Sequence, residues 1–238
     1  MAKVAIVTGA SSGVGRAVAL RLVGQGWDVA LVARRREALD QVIAGEGAAL
    51  RPRMHAYACD VADAEAVQTV VADLFRRFGG VHVLVNSAGT NIPRRALDML
   101  SLEDFRALVD VNLFGTFHFV HAVLPHMRRQ GEGTIVNVVS DAGLVANAKA
   151  GAAYVASKFG VTGLTQSINA EERERGVRAC AVFPGDIDTP LLEKRPAPPP
   201  PAEARGKMLR PEDVAECVLL AINLPPRAVV EQLVVRPL

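Results

Sequence analysis

Tyr154 and Lys158 stand four residues apart, where an irregular run gives way to apolar residues at helical spacing: Phe159, Val161, Leu164 and Ile168. Residues four apart on a helix share a face, so the phenol and the ammonium lean the same way. A cation beside a phenol favours the phenolate, which predicts a Tyr154 pKa below its ordinary value near 10. Such a group exchanges protons near neutral pH, the work of a general acid or base. The same two residues also read as an ordinary amphipathic helix with a lysine stem laid along it. The rest of the chain decides between these readings.

A second constellation lies near the start, where Thr8 leads into Gly9-x-x-x-Gly13-x-Gly15, with Ser11 and Ser12 between the glycines. It follows a short apolar run and opens a helical pattern. Glycines there permit a tight turn and close approach of a ligand, and the free N–H groups and dipole of a helix start favour a phosphate. A glycine-rich turn with no ligand is the alternative. The Gly-Lys-Ser/Thr ending of a nucleoside-triphosphate loop is missing.

Three arginines, Arg34, Arg35 and Arg36, follow the second apolar run, which ends at Ala33 without an acidic residue. In dinucleotide folds an acid at this corner holds a ribose 2′-hydroxyl, whereas an arginine suits a 2′-phosphate. Three cations at a helix start also oppose its dipole unless an anion is near. NADP is therefore expected over NAD, although NAD remains possible and a solvated charge run is the alternative. Further polar residues sit at later strand ends. Asp60 reads equally as a ligand-facing residue and as the N-cap of the following helix. Asn112 falls in the apolar stripe of a long helix, where a polar side chain must find partners inside the fold.

The elements that must position these residues follow from hydrophobic periodicity. Strands are expected at Val4–Val7, Val29–Ala33, Met54–Ala58, Val81–Val85, Ile135–Val139, Val177–Phe183 and Gln232–Val235. Helices lie between them, such as Asp63–Phe78, Glu103–Arg129 and Tyr154–Arg175. Alternation of this kind predicts right-handed crossovers and a parallel sheet covered on both faces. The chain of 238 residues is expected to be one α/β domain spanning 1–238. Pro196–Pro201 is expected to be extended, within a segment, 190–208, that forms a lid over the substrate.

Composition narrows the function. A net charge of +2 gives no reason to expect nucleic acid or an anionic membrane. The three cysteines, Cys59, Cys180 and Cys217, have no metal-ligand spacing and read as buried thiols in a reducing compartment. The first apolar run is too short for a signal segment or a membrane span. A soluble cytoplasmic protein acting on small molecules, without a metal, is expected.

In their order along the chain, Thr8–Gly15, Asn86–Gly89, Asn112, Ser140, Tyr154-x-x-x-Lys158 and Pro184-Gly185 resemble the short-chain dehydrogenase/reductase family over nearly the whole length. The resemblance implies a Rossmann-type, doubly wound parallel sheet of about seven strands. It also implies hydride transfer between NADP(H) or NAD(H) and a carbonyl or secondary alcohol. By the same resemblance Tyr154 moves the proton and Lys158 tunes it and holds the nicotinamide ribose. Ser140 bonds the substrate oxygen, and Asn112 supports a water beside Lys158. Cofactor contacts are implied at Gly9, Ser11, Ser12, Gly13, Val14, Gly15, Arg34, Asp60, Val61, Asn86, Ala88, Gly89, Pro184, Gly185, Ile187 and Thr189. A homotetramer, or a dimer, built on the two long helices is implied as well. Two departures stand out: Ser87 replaces the usual second Asn, and Ser140 precedes Tyr154 by fourteen positions rather than thirteen. An NAD-preferring dehydrogenase and a non-catalytic cofactor-binding regulator are the competing readings.

Overall fold

Seven short runs rich in Val, Ala, Ile and Leu form parallel strands, and in the computed structural model, which describes residues 3–196 and 200–238, they make one sheet. The strands are β1 (Val4–Thr8), β2 (Asp28–Ala33), β3 (Met54–Ala58), β4 (Val83–Asn86), β5 (Gly133–Val138), β6 (Val177–Pro184) and β7 (Gln232–Val235). Their spatial order is β3-β2-β1-β4-β5-β6-β7, so the chain works outward from β1 to one edge and then returns to build the other. In a parallel sheet both faces need cover, and alternate residues of β1 divide between them. Ala5 and Val7 join a core with Val14, Val18 and Leu22 of α1 (Gly13–Gly24), to which the α8 helix (Pro211–Asn223) adds Val214 and Val218. Val4 and Ile6 join the opposite core, with Val67 and Leu74 of α3 (Ala64–Phe78) and Phe119 and Val123 of α5 (Gly115–Gln130).

Helix ends follow local chemistry. Asp63 caps α3, accepting the amides of Glu65 and Ala66 at 3.0 Å each. The alternative that Asp60 is this cap is therefore corrected, and Asp60 instead accepts the Ala62 amide in a turn. Arg178 of β6 donates to the carbonyls of Ile222, Leu224 and Pro225, closing the end of α8 on the sheet.

The expected helix over 103–129 is continuous from Leu102 to Gln130, but its middle is not α-helical. α4 (Leu102–Val109) and α5 flank one wide π turn, Asp110–Phe114. Leu108, Asn112, Thr116 and Val120 are all buried at strict four-residue intervals. An ideal α-helix would turn such a row by about 40° per step. The wide turn absorbs part of that drift and keeps Asn112 on the inner side. The catalytic-helix candidate is α6 (Ala152–Glu172), begun two residues before Tyr154.

The segment following β6 is more helical than its prolines suggest. A 3₁₀ turn covers Pro190–Lys194, and a short helix α7 covers Ala202–Gly206. Pro201 is extended, as expected, while residues 197–199 of the expected proline run lie outside the described residues.

Candidate active site

The strand order turns back on itself between β1 and β4, and a cleft of about 980 Å³ opens at the carboxyl ends of the strands. That crevice is where open α/β sheets bind ligands. Its floor begins at Gly9, whose φ of +67° few side chains adopt, and a Cβ there would stand 2.9 Å from the Ala88 backbone. Thr8 fixes this approach, because its hydroxyl accepts the amides of both Ser87 and Ala88 at 3.0 Å. The start of α1 has no side-chain cap bond and no acidic residue in its first turn. Its N–H groups and dipole thus remain open to an anion. Gly9, Ser11, Ser12, Gly13 and Val14 all line the cleft at this point. Gly15 does not; a Cβ there would lie 2.6 Å from the Gly9 carbonyl oxygen, so its bareness lets α1 approach the turn. These residues fit the diphosphate of a dinucleotide.

Ser140, Tyr154 and Lys158 meet at the inner end of the cleft. The Lys158 ammonium donates to the Val138 carbonyl at 3.1 Å and sits 5.6 Å from the centre of the Tyr154 ring. At 5 % exposure it is held in a poor environment for charge, and burial lowers its pKa to about 8. Tyr154 departs from expectation. Its pKa is raised to about 12, first by burial, with the Ser140 hydrogen bond pulling it down and the Asp141 carboxylate pushing it up. Arg95 and Arg195 lower it, and Lys158 makes no resolved contribution. Sequence spacing placed the two groups on one face, but it could not show how strongly desolvation opposes the phenolate.

The Ser140 hydroxyl accepts the Ala142 amide and donates to Asp141 Oδ1, both at 3.2 Å. One hydroxyl proton therefore faces two claimants, the Asp141 carboxylate and the phenol oxygen. Asn112 lies fully buried behind this group. Its Oδ1 accepts the Thr90 amide at 2.8 Å, and its Nδ2 donates to the Thr90 carbonyl and to Ser157 Oγ at 3.0 and 3.1 Å. A Cβ on Gly89 would stand 3.5 Å from Asn112 Oδ1 and 3.8 Å from Lys158 Nζ, so the two polar groups flank one bare spot. Asn86 is also behind the wall, donating to Asn137 Oδ1 at 2.9 Å, with its own Oδ1 unpartnered.

The other sequence-derived positions divide along the cleft. Asp60, Val61, Ala88, Gly89, Pro184 and Gly185 line it. So do Ile187, Thr189 and Arg34. The three arginines behave differently. Arg36 is committed to Asp40 one helical turn on, at 2.9 Å, whereas Arg34 and Arg35 face the cleft with no ion pair among the described residues. Spacing in the sequence did not single out a polar group at the opposite end: Arg95, Lys149, Asp186, Lys194 and Arg195. Lys149 pairs with Asp186 at 2.6 Å, and Arg195 pairs with the same carboxylate. No spacing signal connects these residues, because they come from three loops distant in sequence.

Fold and cleft define a doubly wound domain suited to a dinucleotide, with Ser140, Tyr154 and Lys158 together at the inner end of its cleft. Comparison with known proteins narrows this. A family model for short chain dehydrogenase matches residues 3–199. A cyclohexanol dehydrogenase from an Acinetobacter species is 36% identical over 222 residues, covering 93% of this chain and 88% of the relative. Among solved structures, an alcohol dehydrogenase from Thermococcus sibiricus complexed with 5-hydroxy-NADP has a TM-score of 0.85 at 30% identity, covering 100% of this chain and 97% of that one. A 3-ketoacyl-(acyl-carrier-protein) reductase from Brucella melitensis complexed with NADH has a TM-score of 0.87 at 28% identity, with 98% and 96% covered. The chain belongs to the short chain dehydrogenase family. It is an oxidoreductase that works with a nicotinamide cofactor on a small-molecule CH–OH or C=O group.

Proposed function

We propose that this protein is an NADP(H)-dependent carbonyl reductase or alcohol dehydrogenase in which Tyr154 moves the proton. The observation that carries the reading is the meeting of Tyr154, Ser140 and Lys158 at one end of a cleft whose other end presents Arg34 and Arg35. The bound cofactor supplies or accepts the hydride. Tyr154 gives its hydroxyl proton to the substrate oxygen as a carbonyl becomes an alcohol, and takes it back in reverse. Ser140 donates a hydrogen bond to that same oxygen and stabilises its developing charge. Lys158 would hold the nicotinamide ribose hydroxyls, and the phenolate would draw on the Ser140 hydrogen bond and the charges of Arg95 and Arg195. Asn112 is a positioning residue, tying the wide helical turn to Thr90 and to Ser157 on α6.

The open start of α1 suits the diphosphate common to both cofactors, and one feature supports the phosphorylated one: Arg34 and Arg35 line the cleft with no ion pair among the described residues, and no acid stands at the end of β2. We also propose a homotetramer in the cytoplasm. Leu102, Phe105, Phe114 and Phe117 on the long helical pair and Phe159 on α6 are exposed, and apolar faces of that size suit pairing between copies.

The direct test is turnover of a panel of ketones and secondary alcohols with each cofactor, on wild type and Tyr154→Phe. Wild type is expected to work best with NADP(H). The variant is expected to bind cofactor and lose on the order of 10²-fold or more in kcat. Near-normal rates for Tyr154→Phe would reject the proton role.

A further inference from the structure

We propose that the substrate carries a carboxylate beside its reacting carbonyl or carbinol carbon, and that Arg195 and Lys194 receive it over a floor set by Arg95. This deepens the oxidoreductase reading and rests on it. Arg95 is 7 % exposed, yet its guanidinium faces no carboxylate among the described residues. It donates instead to three backbone carbonyls: Ile92 at 2.7 Å, Lys149 at 3.2 Å, and Lys194. Those carbonyls come from three loops that wall the substrate end of the cleft. Gly151 makes room for the side chain, since a Cβ there would stand 2.6 Å from Arg95 Cβ.

Around this floor the charges do not balance. Asp186 is shared between Lys149 and Arg195, so one carboxylate serves two cations. Lys194 donates to the Thr90 hydroxyl at 2.6 Å and has no acidic partner among the described residues. Asp141 is the other carboxylate lining this end, and it is engaged with the Ser140 hydroxyl. Four cations thus converge on two carboxylates inside a concave, partly desolvated site, where walls of low dielectric concentrate the field. A loop strut would need the N–H groups of Arg95 but not the further charges of Lys194 and Arg195. An anion on the substrate balances the surplus, and a guanidinium offers it paired donors.

The test compares 2-, 3- and 4-oxo acids with their methyl esters under saturating NADPH and, separately, NADH. For the best chain length kcat/KM is expected to favour the acid by about tenfold or more. That ratio is expected to shrink as ionic strength rises from about 0.05 to about 0.5 M. Arg195→Gln is expected to cut the ratio about tenfold, with Arg195→Lys restoring part of it, and Lys194→Gln provides a second, exposed variant. Esters or neutral ketones reduced as well as acids at every chain length, with a ratio indifferent to salt and to both variants, would overturn the inference and leave the oxidoreductase function standing. Absence of turnover for every compound with both cofactors would overturn the proposed function and this inference together.

Discussion

At the scale of single residues, the groups at the inner end of the cleft are held against their own preferences. Lys158 is buried as a cation, with its pKa brought down to about 8 from 10.5. Below pH 8 the lysine is charged both folded and unfolded, and the fold carries the whole desolvation cost; above 10.5 it is neutral in both states. Lys158→Met is therefore expected to raise stability below pH 8 by up to about 3 kcal/mol while abolishing turnover, the gain vanishing as pH rises from 8 toward 10.5. Calorimetry of both proteins across that range checks it, and a variant less stable than wild type at pH 7 would contradict it. Asp141 offers a second test. Its charge raises the Tyr154 pKa and its Oδ1 claims the Ser140 proton. Asp141→Ala is expected to free that proton for the phenol oxygen and lower the Tyr154 pKa. In alcohol oxidation, which needs the phenolate as base, the acid limb of the kcat profile then moves to lower pH. A limb that stays in place would separate Asp141 from the proton-transfer group. The pairing of Tyr154 with Lys158 was legible from four-residue spacing, but the direction of the Tyr154 shift was not. Spacing reports which side chains share a face, while desolvation depends on everything packed around them.

Among the elements, the end of β2 is where the proposed preference for NADP can be tested. Arg36 is drawn away by Asp40 at the next turn of α2 (Arg36–Ala44), leaving Arg34 and Arg35 to face the cleft. Ala33→Asp combined with Arg34→Ala adds a ribose acceptor and removes a partner of the 2′-phosphate. The pair is expected to reverse a preference for NADP of roughly ten- to a hundredfold. Steady-state kcat/KM for both cofactors reads this, and a wild type that uses NAD equally well would return the arginines to the solvated surface. Strand positions were legible throughout, because each is a short run, mostly apolar, set off from the helical patterns beside it. β4 begins two residues later than its apolar run, and β5 two residues earlier. The wide turn at Asp110–Phe114 had only a faint trace in the sequence, the strict four-residue recurrence of Leu108, Asn112, Thr116 and Val120. At the substrate end the segment 190–208 was singled out as a lid, but the side chains that meet there were not legible. Arg95, Lys194 and Asp186 are brought together by the return of the chain over the strand ends, and no local periodicity encodes that meeting.

For the whole molecule, the apolar stripe on α4 and α5 has two sides. The stretch Leu102–Gln130 is long and apolar enough, by length and composition alone, to cross a membrane, yet much of its apolar part is buried inside the fold. Leu102, Phe114 and Phe117 remain on the outside. Light scattering at micromolar concentration is expected to give a mass near four chains, and the double variant Phe114→Glu with Phe117→Glu is expected to reduce it. A monomeric wild type would reject the assembly. The wide turn has a consequence for how this chain can change in length. Removing one residue between 110 and 114 would close the wide turn to an ordinary one and leave α5 in nearly the same phase, because the wide turn spends about one residue more than an α turn on the same rotation. Phe119, Val123 and Met127 would keep the sheet side and Phe117 the outer side, while Asn112 would shift relative to Thr90. Insertions and deletions are usually absorbed in loops; here a single codon in mid-helix would be absorbed in the turn itself, and its cost would fall on the reacting end rather than on the core.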